Sequence, residues 1–104
     1  MTEADFQRMV IRLARQLGYL VYHTHDSRSN HWATDPGYPD LHLVHERRRR
    51  SIHAELKGDS EYGKRGPAPE QVRWINALQA AGLEAYVWYP RDINDIVTIL
   101  SRRN

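Results

Sequence analysis

Apolar positions recur at spacings of three and four from Phe6 through Met9, Val10, Leu13, Ala14 and Leu17, a period that predicts an amphipathic helix. Thr2 suits its N-cap and Gly18 its end. Tyr19 to His25 is aromatic and β-branched, which predicts a strand. Asp26 to Tyr38 is polar, with Ser, Asn, Asp, Pro and Gly and no period. It is expected to be a loop, and loops of this length are often functional. Asp40 to His45 and Ser51 to Lys57 are expected to pair as a hairpin whose turn carries Glu46 and the arginines. In the second of these strands Ile52, Ala54 and Leu56 alternate with His53, Glu55 and Lys57. That alternation puts Glu55 and Lys57 on one face.

Gly58 to Gly66 is glycine-rich and of mixed charge, and is expected to form a second loop. Pro67 and Pro69 suit a helix entrance, Val72, Ile75 and Leu78 keep helical spacing, and Gly82 is a terminator. Leu83 to Tyr89 predicts a last strand, and Asp92 a cap for a final helix with Ile93, Ile96, Val97 and Leu100 on one stripe. The order is α-β-β-β-α-β-α, an α/β domain with a mixed central sheet flanked by helices. No repeat or linker divides the chain, so residues 1–104 are expected to form a single domain. A chain this small buries a modest fraction of its surface, which favours stabilisation by a partner, and a homodimer is expected.

The chain has no cysteine, which excludes a disulfide framework and a thiolate zinc site. No apolar run approaches the roughly 18 to 20 residues of a membrane span, and no signal-peptide core stands at the start. A soluble protein of the cytoplasm, without membrane association, is the simplest expectation. The formal charge of +2 hides an uneven distribution. Arg47, Arg48, Arg49 and Arg50 are consecutive, Lys64 and Arg65 are adjacent, and Arg102 and Arg103 lie near the end. Such clusters attract polyanions more than the total charge suggests, and the first two are candidate nucleic-acid contacts. The plainer alternative for the arginine run is a solvated turn.

Gly37-Tyr38-Pro39-Asp40-Leu41 opens one strand, and Glu55-Leu56-Lys57 closes the next. Cleaving a phosphodiester requires neutralised charge, an aligned water and help for the departing oxygen. Magnesium held by one or two carboxylates supplies much of this and keeps positions open for water and phosphate. Asp40 and Glu55 are the candidate ligands. Lys57, from the same side of the sheet, can orient the water and offset charge that develops in the transition state. Lysine is scarce here: only Lys57 and Lys64 among fifteen basic residues. Read structurally instead, Asp40 is a residue at a strand start, and Glu55 with Lys57 an exposed ion pair.

Glu3 precedes Phe6 by one helical turn and is expected on the buried face of the first helix, while Gln71 falls at helical spacing from Trp74, Ile75 and Leu78. Both can reach inward toward a metal and its waters. Their plain alternatives are a favourable first-turn charge for Glu3 and a hydrogen bond to nearby backbone for Gln71. His23 and His25, with Asp26 and His31, raise a zinc hydrolase as a rival. His42 and His53 share the face of Asp40 and Glu55, either to touch phosphate or as half-exposed sheet residues.

Taken together, the chain resembles a stand-alone VRR-NUC domain, a branch of the PD-(D/E)XK nuclease superfamily. The resemblance rests on Glu3, Tyr22-His23-Thr24, Gly37 through Leu41, Ala54 through Lys57, Glu70-Gln71 with Trp74, Ala81-Gly82, and Val87-Trp88 with Pro90. It implies a restriction-endonuclease-like core in which Asp40, Glu55 and the Leu56 carbonyl bind magnesium or manganese and Lys57 is the catalytic lysine. Glu3 and Gln71 would match accessory positions of the metal and catalytic site, with no small-molecule cofactor. Compact members resemble Holliday-junction resolvases, are homodimers, and are often carried by phages, so the resemblance implies an endonuclease acting on branched DNA, within a bacterial host if phage-encoded. The rival from another class is a DNA-binding module that keeps the fold and recognises branched structure without cutting.

Overall fold

The structure, a computed structural model, describes residues 1–24, 33–59 and 66–103. The expected order is observed. Helix α1 spans Glu3–Gln16, strand β1 Leu20–His23, β2 Leu41–His45 and β3 Arg50–Leu56. Helix α2 (Pro69–Ala80), strand β4 (Glu84–Trp88), a 3-10 turn (Pro90–Asp92) and helix α3 (Ile93–Ser101) follow. The strands lie in the order β1-β2-β3-β4. The first three are antiparallel neighbours, and β4 joins β3 in parallel through the crossover that contains α2. The sheet is therefore mixed, and helices cover it as expected.

The alternation along β2 and β3 divides the sheet into two faces. Leu41 and Leu43 of β2 and Ile52, Ala54 and Leu56 of β3 pack with Phe6, Val10 and Ala14 of α1 and with Ile96 and Leu100 of α3. This is the main core, and all of these residues are fully buried. Helix α2 packs against β4, where Ile75 and Ala85 are buried and Gln79 Nε2 donates to the Ala85 carbonyl at 2.7 Å. At the β1 end, Leu20 and Tyr22 are 61% and 59% exposed.

The caps explain where the helices start. Thr2 Oγ1 accepts from the Asp5 amide at 3.1 Å, as a Thr N-cap should. Asp92 stands at the N-cap position of α3 as expected, but its carboxylate turns back to accept from the Tyr89 amide at 2.9 Å, closing the 3-10 turn instead of bonding the first turn of α3. Two apolar helix positions also differ. Val72 and Val97 are exposed, because α2 and α3 each bury a narrower stripe than their hydrophobic pattern suggests.

The arginine run has two destinies. Extending the buried alternation Ile52, Ala54, Leu56 back by one step reaches Arg50, which is 4% exposed. Its guanidinium grips Glu84 of β4, with Nη2 to Oε1 at 2.7 Å and Nε to Oε2 at 3.1 Å. It also donates to the Ile99 and Arg102 carbonyls at the end of α3. Arg50 thus ties β3, β4 and α3 together and faces the interior, which corrects the expectation that it contacts nucleic acid.

Candidate active site

Asp40 stands immediately before β2 and Glu55 near the end of β3, and the pairing of Leu41 with Ala54 brings the two positions side by side. Asp40 Oδ2 accepts from the Leu56 amide at 2.9 Å. The backbone around Asp40 is fixed from β1: the Thr24 amide donates to the Asp40 carbonyl at 2.8 Å, and Thr24 Oγ1 to the Pro39 carbonyl at 2.8 Å. The motif Gly37 to Leu41 is therefore held by both neighbouring strands.

Glu55 is only 2% exposed. Gln71 Nε2 donates to its Oε2 at 2.9 Å, and Lys57 Nζ stands 3.6 Å from the same oxygen. Gln71 Oε1 in turn accepts from the Ala68 amide at 2.8 Å. The two readings of Gln71 are thus joined in one side chain: its oxygen secures the start of α2 and its nitrogen orients Glu55. Among the described residues, Glu55 Oε1 is buried with no hydrogen-bond partner. Burial, and then the charge of Asp40, push the Glu55 carboxyl up to about 8, while Lys57 opposes the rise.

Two glycines bring the helices to this point. Gly37 has φ +95°, and a Cβ there would lie 2.6 Å from the Glu70 carbonyl and 2.8 Å from the Gln71 amide. Only glycine permits both the left-handed backbone and that approach to the first turn of α2. Gly58 has ordinary φ, but a Cβ on it would lie 2.6 Å from the Glu3 amide. With the Asp59 amide donating to the Met1 carbonyl at 3.0 Å, it seats the start of α1 against the chain just past Lys57. Glu3 is consequently at the solvent rim of the site and not on the buried face of α1. Partial loss of solvent raises its pKa, Lys57 opposes this, and the charge of Asp40 adds to it. Glu3, Asp40, Glu55, Lys57 and Gln71 are therefore one electrostatic cluster.

A buried carboxylate oxygen without a partner, next to a second carboxylate that repels it, is a pair of hard donors awaiting positive charge. Oxygen ligands of this kind suit magnesium or manganese. Among the described residues, no group of three or more His, Cys, Asp or Glu side chains forms a cation site. The residues present fit a hard cation that keeps water and backbone among its ligands.

No family model and no curated protein matches this sequence. A solved structure described as a VRR_NUC domain protein superposes with a TM-score of 0.69 at 20% identity, over 96% of this chain and 85% of that one. This chain has the VRR-NUC fold. At that identity the likeness extends to the architecture, and the site rests on the geometry above.

Elsewhere on the VRR-NUC frame, the other candidates are placed as follows. His42 and His53 stack across β2 and β3 with centroids 4.2 Å apart. His42 Nε2 meets Ser51 Oγ at 2.7 Å, and Tyr38 lies edge-on to His53 and to Trp74 of α2. Burial and the neighbouring His53 lower the His42 pKa. The two histidines therefore pack on each other and on the motif loop. His23 pairs with Leu41 across β1 and β2. His25, Asp26 and His31 of the zinc rival, and Lys64 and Arg65 among the nucleic-acid candidates, lie outside the described residues. Arg47 and Arg49 are exposed in the turn at the opposite end of the hairpin from Asp40, with Arg48 half-buried beside them.

Proposed function

We propose that this protein is a divalent-metal-dependent endonuclease that hydrolyses DNA phosphodiesters, selective for branched DNA such as four-way junctions. The observation that carries the reading is the unpartnered, buried Glu55 Oε1 set against Asp40 with Lys57 alongside. Asp40, Glu55 and the Leu56 carbonyl would hold magnesium or manganese, with Glu3 at the rim. Once bound, the ion would neutralise phosphate charge and acidify a water.

The protein's own groups do the rest. Gln71 fixes the rotamer of Glu55, which holds one oxygen still for ligation. Lys57 keeps its ammonium beside the carboxylates, where it can orient the attacking water and stabilise the crowded phosphate oxygens of the transition state. Its flexible stem and compact charge suit that task better than an arginine fork would. Burial of Glu55 limits the screening of these interactions by bulk water. A homodimer, for which the exposed Leu20 and Tyr22 offer apolar surface, would carry two such sites, as paired incision of a junction requires.

Asp40→Asn and Lys57→Ala should each abolish cleavage while leaving the fold and DNA binding largely intact. Cleavage at the wild-type rate by both variants would sink the reading.

A further inference from the structure

The turn between β2 and β3, the C-terminal end of α1 and the segment after α3 enclose a groove of about 980 Å³. Arg47, Arg48, Arg49 and Arg103 line it, with Glu46 the one carboxylate among the described lining residues. Arg48 braces its wall: the amide donates to His45 Nδ1 at 3.1 Å and the guanidinium to the Leu100 carbonyl at 3.0 Å. Arg49 has φ +53°, the left-handed conformation in which glycine or asparagine usually closes such a turn. An arginine stands where the backbone favours a residue without its side chain.

The position of the groove matters as much as its charge. Glu55 is at one end of β3 and Arg50, beside the groove, at the other. That separation is roughly 17 Å at a rise of about 3.3 Å per residue. A straight duplex laid across the strand ends that carry Asp40 and Glu55, at right angles to the strands, does not reach their opposite ends. A second arm, a sharp bend or a single-stranded tail can reach it.

We propose that this groove binds a second phosphodiester segment of the nucleic acid, separate from the segment at Asp40 and Glu55. The proposal rests on the nuclease reading and names the part of the substrate that the site itself does not touch. Nucleic acid fits better than an acidic protein. Guanidinium groups match phosphate geometry in pairs, and a polymer held at the active site presents further phosphates at high local concentration.

The test compares wild type with Arg47→Ser/Arg103→Ser, two exposed positions, after circular dichroism confirms equal folding. Binding to a four-way junction and to a duplex of about 10 base pairs, some 34 Å long, is measured in chelator over a range of salt. The groove should give the junction two points of attachment and the short duplex one. Junction affinity should therefore fall at least about tenfold in the variant, and its salt slope should shallow by roughly 2, at about 0.9 per phosphate contact. Short-duplex affinity should fall less than about threefold. Unchanged junction binding would overturn the proposal, as would equal losses on both substrates, which would place these arginines on the segment that is cut. Displacement of the junction by polyglutamate at the same charge concentration as by competitor DNA would overturn it in favour of an acidic partner. Failure of wild type to cut with magnesium or manganese would remove the nuclease reading, and the binding comparison would still decide the groove.

Discussion

Replacing Glu55 with Gln isolates the electrostatic cost stored in the site. The amide keeps the size of the carboxyl and can still accept from Gln71, but it never carries a charge. Burial and Asp40 raise the Glu55 carboxyl from 4.5 to about 8 in the folded protein. The native state therefore keeps a proton that the unfolded chain releases. The stability linked to that proton is fully present below about pH 4.5 and is lost as pH rises toward 8. At about 1.4 kcal/mol per pH unit, the loss by pH 7 is on the order of 3 kcal/mol. Glu55→Gln should match wild type near pH 4.5 and exceed it increasingly above. Urea unfolding in chelator measures this: with a slope of about 1–3 kcal/mol/M, the variant's midpoint at pH 7 should be higher by about 1–3 M. Added magnesium should then restore wild type selectively above neutral pH and leave the variant unmoved. Parallel pH profiles for the two proteins in chelator would refute the reasoning, because Glu55 would then ionise like an ordinary surface carboxyl.

Gln71→Ala strands the Ala68 amide and leaves Glu55 Oε2 only Lys57, and should cost about 1–3 kcal/mol in urea unfolding together with a large fall in cleavage rate. Arg50→Ala leaves Glu84 only the Tyr86 hydroxyl at the junction of β3, β4 and α3, and thermal or urea unfolding should show a loss of about 1–3 kcal/mol. Arg50→Ala should leave the salt slope of DNA binding unchanged, since Arg50 faces inward. Gly37→Ala forces a left-handed residue against the backbone of α2. It should destabilise by roughly 1–3 kcal/mol and should weaken magnesium binding, read by calorimetry, because the motif loop moves away from Gln71.

Much of this was legible in the sequence because the patterns were local. The three-and-four spacing from Phe6 to Leu17 gives α1, and the alternation after Arg50 gives β3. Pro39-Asp40 before one strand and Glu55-Leu56-Lys57 at the end of its neighbour place the carboxylates together once the two strands pair antiparallel. What stayed hidden depends on contacts far apart in the chain. Gly37 and Gly58 look like ordinary loop glycines until the first turns of α2 and α1 are seen against them. Glu3 keeps helical spacing with Phe6 but sits at the very start of α1, where the helix projects to solvent. Arg50 did leave a signal: it continues the buried alternation, and Glu84 opens the last strand. Three identical neighbours obscured that parity. Val72 and Val97 keep helical spacing in the sequence yet are exposed, because spacing alone does not show how wide a stripe the rest of the fold covers.

Asp40, Glu55 and Lys57 are proposed to form a metal-dependent cutting site. Its most direct test incubates wild type and Lys57→Ala with labelled four-way junction, flap, linear duplex and single strand, each with magnesium, manganese or chelator. Paired, metal-dependent cuts near the junction by wild type, absent from the variant and in chelator, are the predicted result. Tight junction binding with no cut under either metal would contradict the account and leave a recognition module on a nuclease fold.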